Sequence, residues 1–124
     1  MDLVIEEVRF NDCALVRLAG EFDVWSAPKA KAKFLDLIDD GVKNIAVDLR
    51  NVEFMDSSGM GVLLGCYKRL KGVDGKLVIL ISEKNTHIAK VLRITGLNKV
   101  FAVRVVGETQ GFANIEDLFV VERA

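Results

Sequence analysis

Phe54-Met55-Asp56-Ser57-Ser58-Gly59-Met60-Gly61-Val62-Leu63-Leu64-Gly65 decides the fold, because it runs from a short polar loop directly into a helical pattern. Met60, Leu63, Leu64, Tyr67 and Leu70 fall at i, i+3, i+4, i+7 and i+10, the spacing of a helix with one buried face. Lys68, Arg69 and Lys71 occupy its last turn, where cations complement the helix dipole, and Gly72 can stop it. Upstream, Ile45-Ala46-Val47-Asp48-Leu49 is a short apolar run between the turn residues Lys43-Asn44 and Arg50-Asn51. Such a run suits a strand buried on both faces, the expected centre of a sheet.

Working outward, Leu3 to Phe10 and Cys13 to Ala19 read as two strands joined by Asn11-Asp12, residues that tolerate a tight hairpin. Ser26 is placed to cap a helix with Pro28 in its first turn, Ala27, Ala30, Phe34, Leu37 and Ile38 on its buried side, and Gly41 at its end. Beyond the decisive helix, Lys76 to Ile81 reads as a buried strand, Glu83 to Ile94 as a helix closed by Gly96, and Val100 to Val106 as a last strand. Phe112 to Val121 reads as a final helix, with pairing of Phe119-Val120-Val121 as a strand the alternative. The expected architecture is α/β: an N-terminal β-hairpin, then alternating strands and helices, in a mixed sheet of about five strands with about four helices. Residues 1–124 are expected to form a single domain, with the core in about 1–106 and a C-terminal helix or extension in 107–124.

The 124 residues carry 17 basic and 18 acidic side chains, a formal charge of -1, with no block of like charges. That balance argues against direct nucleic-acid binding and against a polybasic membrane anchor. The acidic start Met1-Asp2-Leu3-Val4-Ile5-Glu6-Glu7 is unlike a secretory signal, and no apolar run approaches the ~18 residues of a membrane span, so a cytoplasmic protein is expected. Cys13 and Cys66 lie outside any CxxC arrangement and the lone histidine is His87, so neither a metal site nor a bound cofactor is expected. Both cysteines read as small core hydrophobes.

Asp56, Ser57 and Ser58 are all preferred N-cap types, since their oxygens can accept from the unsatisfied amides of a first helical turn. Capping alone explains one of them. Two serines and nearby glycines at the positive end of a helix also suit a phosphate group. A phosphoserine there keeps the helix intact, and its charge, together with Asp56 and Asp23, opposes any surface that covers that end.

The same segment closely resembles the signature of anti-sigma factor antagonists, members of the STAS domain family. Leu18-Ala19-Gly20-Glu21-Phe22-Asp23 resembles the family's Gly-Glu-Leu-Asp loop, Ile45 to Leu49 the strand feeding its phosphoserine, and Ile94-Thr95-Gly96-Leu97 its Ser/Thr-Gly-Leu helix end. The resemblance covers most of residues 1 to about 106, in order and at matching spacing. It implies a bacterial partner switch without catalytic residues of its own. On that resemblance, the unphosphorylated protein is expected to bind an anti-sigma factor that is itself a serine kinase and to free a sigma factor, with phosphorylation of Ser57 abolishing binding and a serine phosphatase resetting the switch. Carried over by position, the resemblance implies that Ser57 is the phosphoacceptor, that Ser58 supports the loop, that Asp23 and Asp56 form an acidic rim, and that Gly59, Met60 and Gly61 complete the partner-binding stretch. Phe22 stands where the family commonly has Leu, and Trp25-Ser26-Ala27-Pro28 is an unusual path into the first helix, with Trp25 expected to pack under it.

Other readings have less behind them. A serine hydrolase needs a general base, and only His87 is present, without Gly-x-Ser-x-Gly. A weak nucleotide-binding module would lack a phosphate loop. A STAS protein serving a stressosome or another non-sigma complex keeps the fold and changes the client.

Overall fold

In a computed structural model, which describes residues 2–120, the chain forms one five-stranded sheet. The strands are β1 (Val4–Phe10), β2 (Cys13–Phe22), β3 (Asn44–Met55), β4 (Lys76–Ile81) and β5 (Ala102–Val105), side by side in sequence order. β1 and β2 pair antiparallel and every later neighbour is parallel. The hairpin turns at Asn11, whose φ of 55° is a conformation asparagine adopts readily. The helices α1 (Ala27–Asp39), α2 (Ser57–Lys71) and α3 (Thr86–Ile94) follow β2, β3 and β4. Strands added in order through crossovers of one hand place all three helices on one face.

Period-two alternation divides the strands between two apolar layers. Val16, Leu18, Ile45, Val47, Leu49, Ile79 and Ile81 face the helices and meet Phe34, Leu37, Leu63, Cys66, Leu70 and Leu92. Cys13, Leu15, Ala46, Val78 and Leu80 face the other way and are covered by Ile115, Leu118 and Phe119. Both cysteines are buried and free, and burial pushes the Cys66 thiol up to about 12.

The expected mixed sheet is present, with β3 at its centre, and several boundaries move. β3 continues through Arg50 and Asn51 to Met55, with register shifts against β2 between Arg17 and Ala19 and between Gly20 and Glu21. Gly20 lies at φ +109°, and a Cβ there would sit 2.6 Å from the Asp2 carbonyl oxygen. α3 starts at Thr86 instead of Glu83, because Asn85 closes a turn: its Oδ1 accepts from the Ser82 amide at 2.8 Å. The last strand spans only Ala102–Val105. In place of a fourth α-helix the chain has 3-10 turns at Leu97–Lys99 and Ile115–Phe119, and the Val121 end of the expected final helix lies outside the described residues. Residues from Phe112 to Phe119 do not extend past the core but form the layer over the second face of the sheet.

Candidate functional site

β2 and β3 end in register, Phe22 opposite Met55. Beyond them lie two neighbouring loops at the carboxyl edge of the parallel strands, where α/β sheets commonly bind partners and ligands. The loops are tied together: the Asp56 amide donates to the Phe22 carbonyl oxygen at 3.3 Å. Gly59, buried in the first turn of α2, sits so close to β2 that a Cβ would lie 2.7 Å from that same oxygen and 2.9 Å from the Phe22 ring.

Of the three capping candidates, Asp56 is the cap. Its backbone is extended (φ −104°, ψ −172°), and its Oδ1 accepts from the Ser58 amide at 2.8 Å and the Gly59 amide at 3.3 Å. Ser57 is therefore the first helical residue, exposed, and its hydroxyl makes no hydrogen bond among the described residues. Ser58 is half-buried and lines a groove of ≈ 250 Å³ between α1 and α2, together with Phe34, Gly61, Val62, Gly65 and Arg69. Gly61 and Gly65 face open space there, since a Cβ built on either meets nothing within 4 Å. Met60 is half-buried against the main core.

Asp23 organises the other loop. Its Oδ1 accepts from the Trp25 amide at 3.0 Å and the Ser26 amide at 3.1 Å, and its own amide donates to Ser26 Oγ at 2.9 Å. Ser26 occupies the N-cap position of α1 without a side-chain capping bond, because its hydroxyl donates instead to the Glu21 carbonyl oxygen at 2.8 Å. The consequence for Trp25 overturns its expected burial: the indole is 89% exposed. The structure thus brings Asp23, Asp56, Ser57 and Ser58 to one edge, while Gly59 is withdrawn beneath Phe22 and serves close packing.

His87 lies flat against Phe54, ring centroids 6.0 Å apart and 13° from coplanar, which braces the strand end leading to Ser57. Among the described residues there is no group of three or more His, Cys, Asp or Glu side chains able to hold a metal ion. No helix among them is long and apolar enough to cross a membrane.

Sequential strand order behind a hairpin, helices on one face and a serine at the start of α2 define a class, and the family model of the STAS domain matches residues 5–117. The chain belongs to the STAS domain family. Within it, the chain is similar to the anti-sigma-B factor antagonist of Staphylococcus epidermidis, 35% identical over 104 residues that span 83% of this chain and 94% of that one. It also resembles the solved structure of the anti-sigma factor antagonist SpoIIAA in its unphosphorylated form, with a TM-score of 0.73 and 26% identity over 85% of this chain and 90% of that one. The Bacillus cell fate determinant SpoIIAA in the phosphorylated form matches at 0.68 and 25%, over 85% and 93%.

Proposed function

We propose that this chain is an anti-sigma factor antagonist whose unphosphorylated form binds an anti-sigma factor serine kinase and frees a sigma factor, and that phosphorylation of Ser57 by that kinase ends the binding. A serine phosphatase restores the active form. Kinship supports the first half, since the similar proteins carry the name anti-sigma factor antagonist.

One observation carries the second half: Ser57 is exposed at the positive end of α2, and Asp56 has already taken the capping duty. The hydroxyl is thus spare for modification. A phosphate there meets a favourable dipole, so its roughly two charges leave the helix standing. A covering partner would instead have to desolvate the dianion beside Asp56 and Asp23, and that cost falls on docking. Gly59, Met60 and Gly61 hold and shape the edge presented to the partner, and Ser58 supports it from the α1–α2 side. The activity is regulatory, and Ser57, whose hydroxyl has no base bonded to it among the described residues, is a substrate residue and not a nucleophile.

Incubation with the cognate anti-sigma factor kinase and ATP is expected to add one phosphate, localised to Ser57 by mass spectrometry. Labelling that persists in Ser57→Ala overturns the assignment. Ser57→Asp is expected to weaken binding to the anti-sigma factor with an almost unchanged melting temperature, and a large loss of stability would make Ser57 a structural residue.

A further inference from the structure

Trp25 is the chain's one tryptophan, 89% exposed, beside Val24 at 57%. An indole left in water forgoes the large apolar burial for which tryptophan is otherwise used, whereas exposed and rigidly held aromatic rings are the commonest anchors of protein interfaces. The backbone beneath Trp25 is held: its amide and that of Ser26 both donate to Asp23 Oδ1, and the Ala27 amide donates to the Asp23 carbonyl oxygen at 2.8 Å. A partner therefore meets a backbone already ordered, and little entropy is lost in fixing it.

Its position is as informative as its exposure. Trp25 lies three residues beyond Phe22 and Ser57 two beyond Met55, and Phe22 and Met55 are register partners on strands spaced about 4.8 Å apart. The two residues therefore stand on adjacent loops of one edge, joined through the bond from the Asp56 amide to the Phe22 carbonyl oxygen. Asp2 and Asp23 line the hollow beside the indole. Lys29, the cation among the described residues of that lining, donates to the Leu3 carbonyl oxygen at 2.9 Å. An apolar ring inside a mainly acidic rim calls for an apolar pocket with a basic rim.

We infer that Trp25 anchors the chain to its anti-sigma factor partner, its indole entering an apolar, basic-rimmed pocket next to the site that receives Ser57. This rests on the proposed function and assigns the two loops separate duties. Ser57 sets whether the complex forms, and Trp25 sets how tightly and with which partner.

The test uses the full chain and its recombinant anti-sigma factor kinase. Trp25→Ala is expected to raise the Kd, measured calorimetrically, by about 30-fold or more. The KM for phosphorylation of Ser57 is expected to rise with kcat unchanged, and the melting temperature to stay at the wild-type value. Trp25→Phe is expected to recover most of the affinity. A fluorotryptophan label at this single site is expected to give one solvent-like fluorine resonance that shifts and broadens when the partner is added. If the wild-type protein binds and is labelled at Ser57 while Trp25→Ala binds within about threefold of it, the inference falls and the proposed function stands. If the wild-type protein neither binds nor is labelled, the proposed function falls and takes the inference with it. A fluorine shift that depends on the protein's own concentration, without partner, assigns the ring to a second copy and overturns the inference.

Discussion

Asp56 carries two duties that a single atom reconciles. By accepting from the Ser58 and Gly59 amides through Oδ1, it closes the first turn of α2 and leaves Ser57 with no structural task. Asp56→Ala is expected to cost about 1 kcal/mol, read by urea denaturation, and Asp56→Asn to restore most of it, because both side chains offer a carbonyl-type oxygen at the cap. Equal losses in the two variants would mean that the charge, through the dipole, matters more than the hydrogen bonds. The sequence narrowed the cap to three neighbouring residues, and only the extended backbone at Asp56 decides among them. The exposure of Trp25 has a related cause. A tryptophan next to a helix start ordinarily packs under the helix, but here Asp23 captures the amides of Trp25 and Ser26, and Ser26 gives its hydroxyl to Glu21 instead of the helix. An aspartate three residues before a serine is a signal for such a turn, visible in the chain but weak without its geometry.

At the scale of elements, α2 is distinguished by where its glycines fall. Gly59 faces β2 at a distance that no side chain tolerates, whereas a Cβ on Gly61 or Gly65 meets nothing within 4 Å. Gly59→Ala is expected to push the start of α2 off the end of β2, at a cost of about 1–3 kcal/mol. The same shift moves Ser57, so phosphorylation should slow as well. Gly61→Ala and Gly65→Ala are expected to raise stability by up to about 1 kcal/mol, since each swaps a flexible residue for the best helix former at an exposed site. Thermal unfolding of the three variants separates these cases, and a gain in Gly59→Ala would contradict the close approach. The five strands, their order of appearance and three of the helices were legible in the apolar pattern together with the turn and cap residues that bound it, and the buried pattern is fullest in β2, β3 and β4. The start of α3 was not. Ser82 to Asn85 keeps the composition of a first helical turn, but Asn85 Oδ1 binds the Ser82 amide and its Nδ2 donates to the Arg50 carbonyl oxygen at 3.2 Å, which holds the segment as a turn against β3.

Over the whole molecule, the C-terminal layer is held by a buried ion pair. Asp48 and Arg50 alternate onto the same face of β3, their side chains only 5% and 6% exposed, with Arg50 Nη2 at 2.8 Å from Asp48 Oδ2. Nη1 of Arg50 donates at 2.7 Å to the carbonyl oxygens of both Gly107 and Gln110, and the guanidinium lies 5.3 Å over the Phe112 ring. The forked, planar cation thus joins the central strand to the segment that delivers Ile115, Leu118 and Phe119 to the second face. An aspartate inside an apolar strand, with an arginine two residues on, was the available sign that something polar had to be satisfied there. Arg50→Ala is expected to cost about 3 kcal/mol, since it leaves the buried Asp48 carboxylate with only the more distant Arg17, at 3.9 Å, as a cationic partner, as well as releasing the segment. Asp48→Ala strands the cation and should cost a similar amount, and Arg50→Lys should recover only part, because one ammonium cannot serve a carboxylate and two carbonyls in the same plane. In Arg50→Ala the amides of residues 107–119 should lose hydrogen-exchange protection ahead of those in β2, β3 and β4. Uniform loss of protection across the sheet would mean that the pair stabilises the fold as a whole instead of fastening this layer to it.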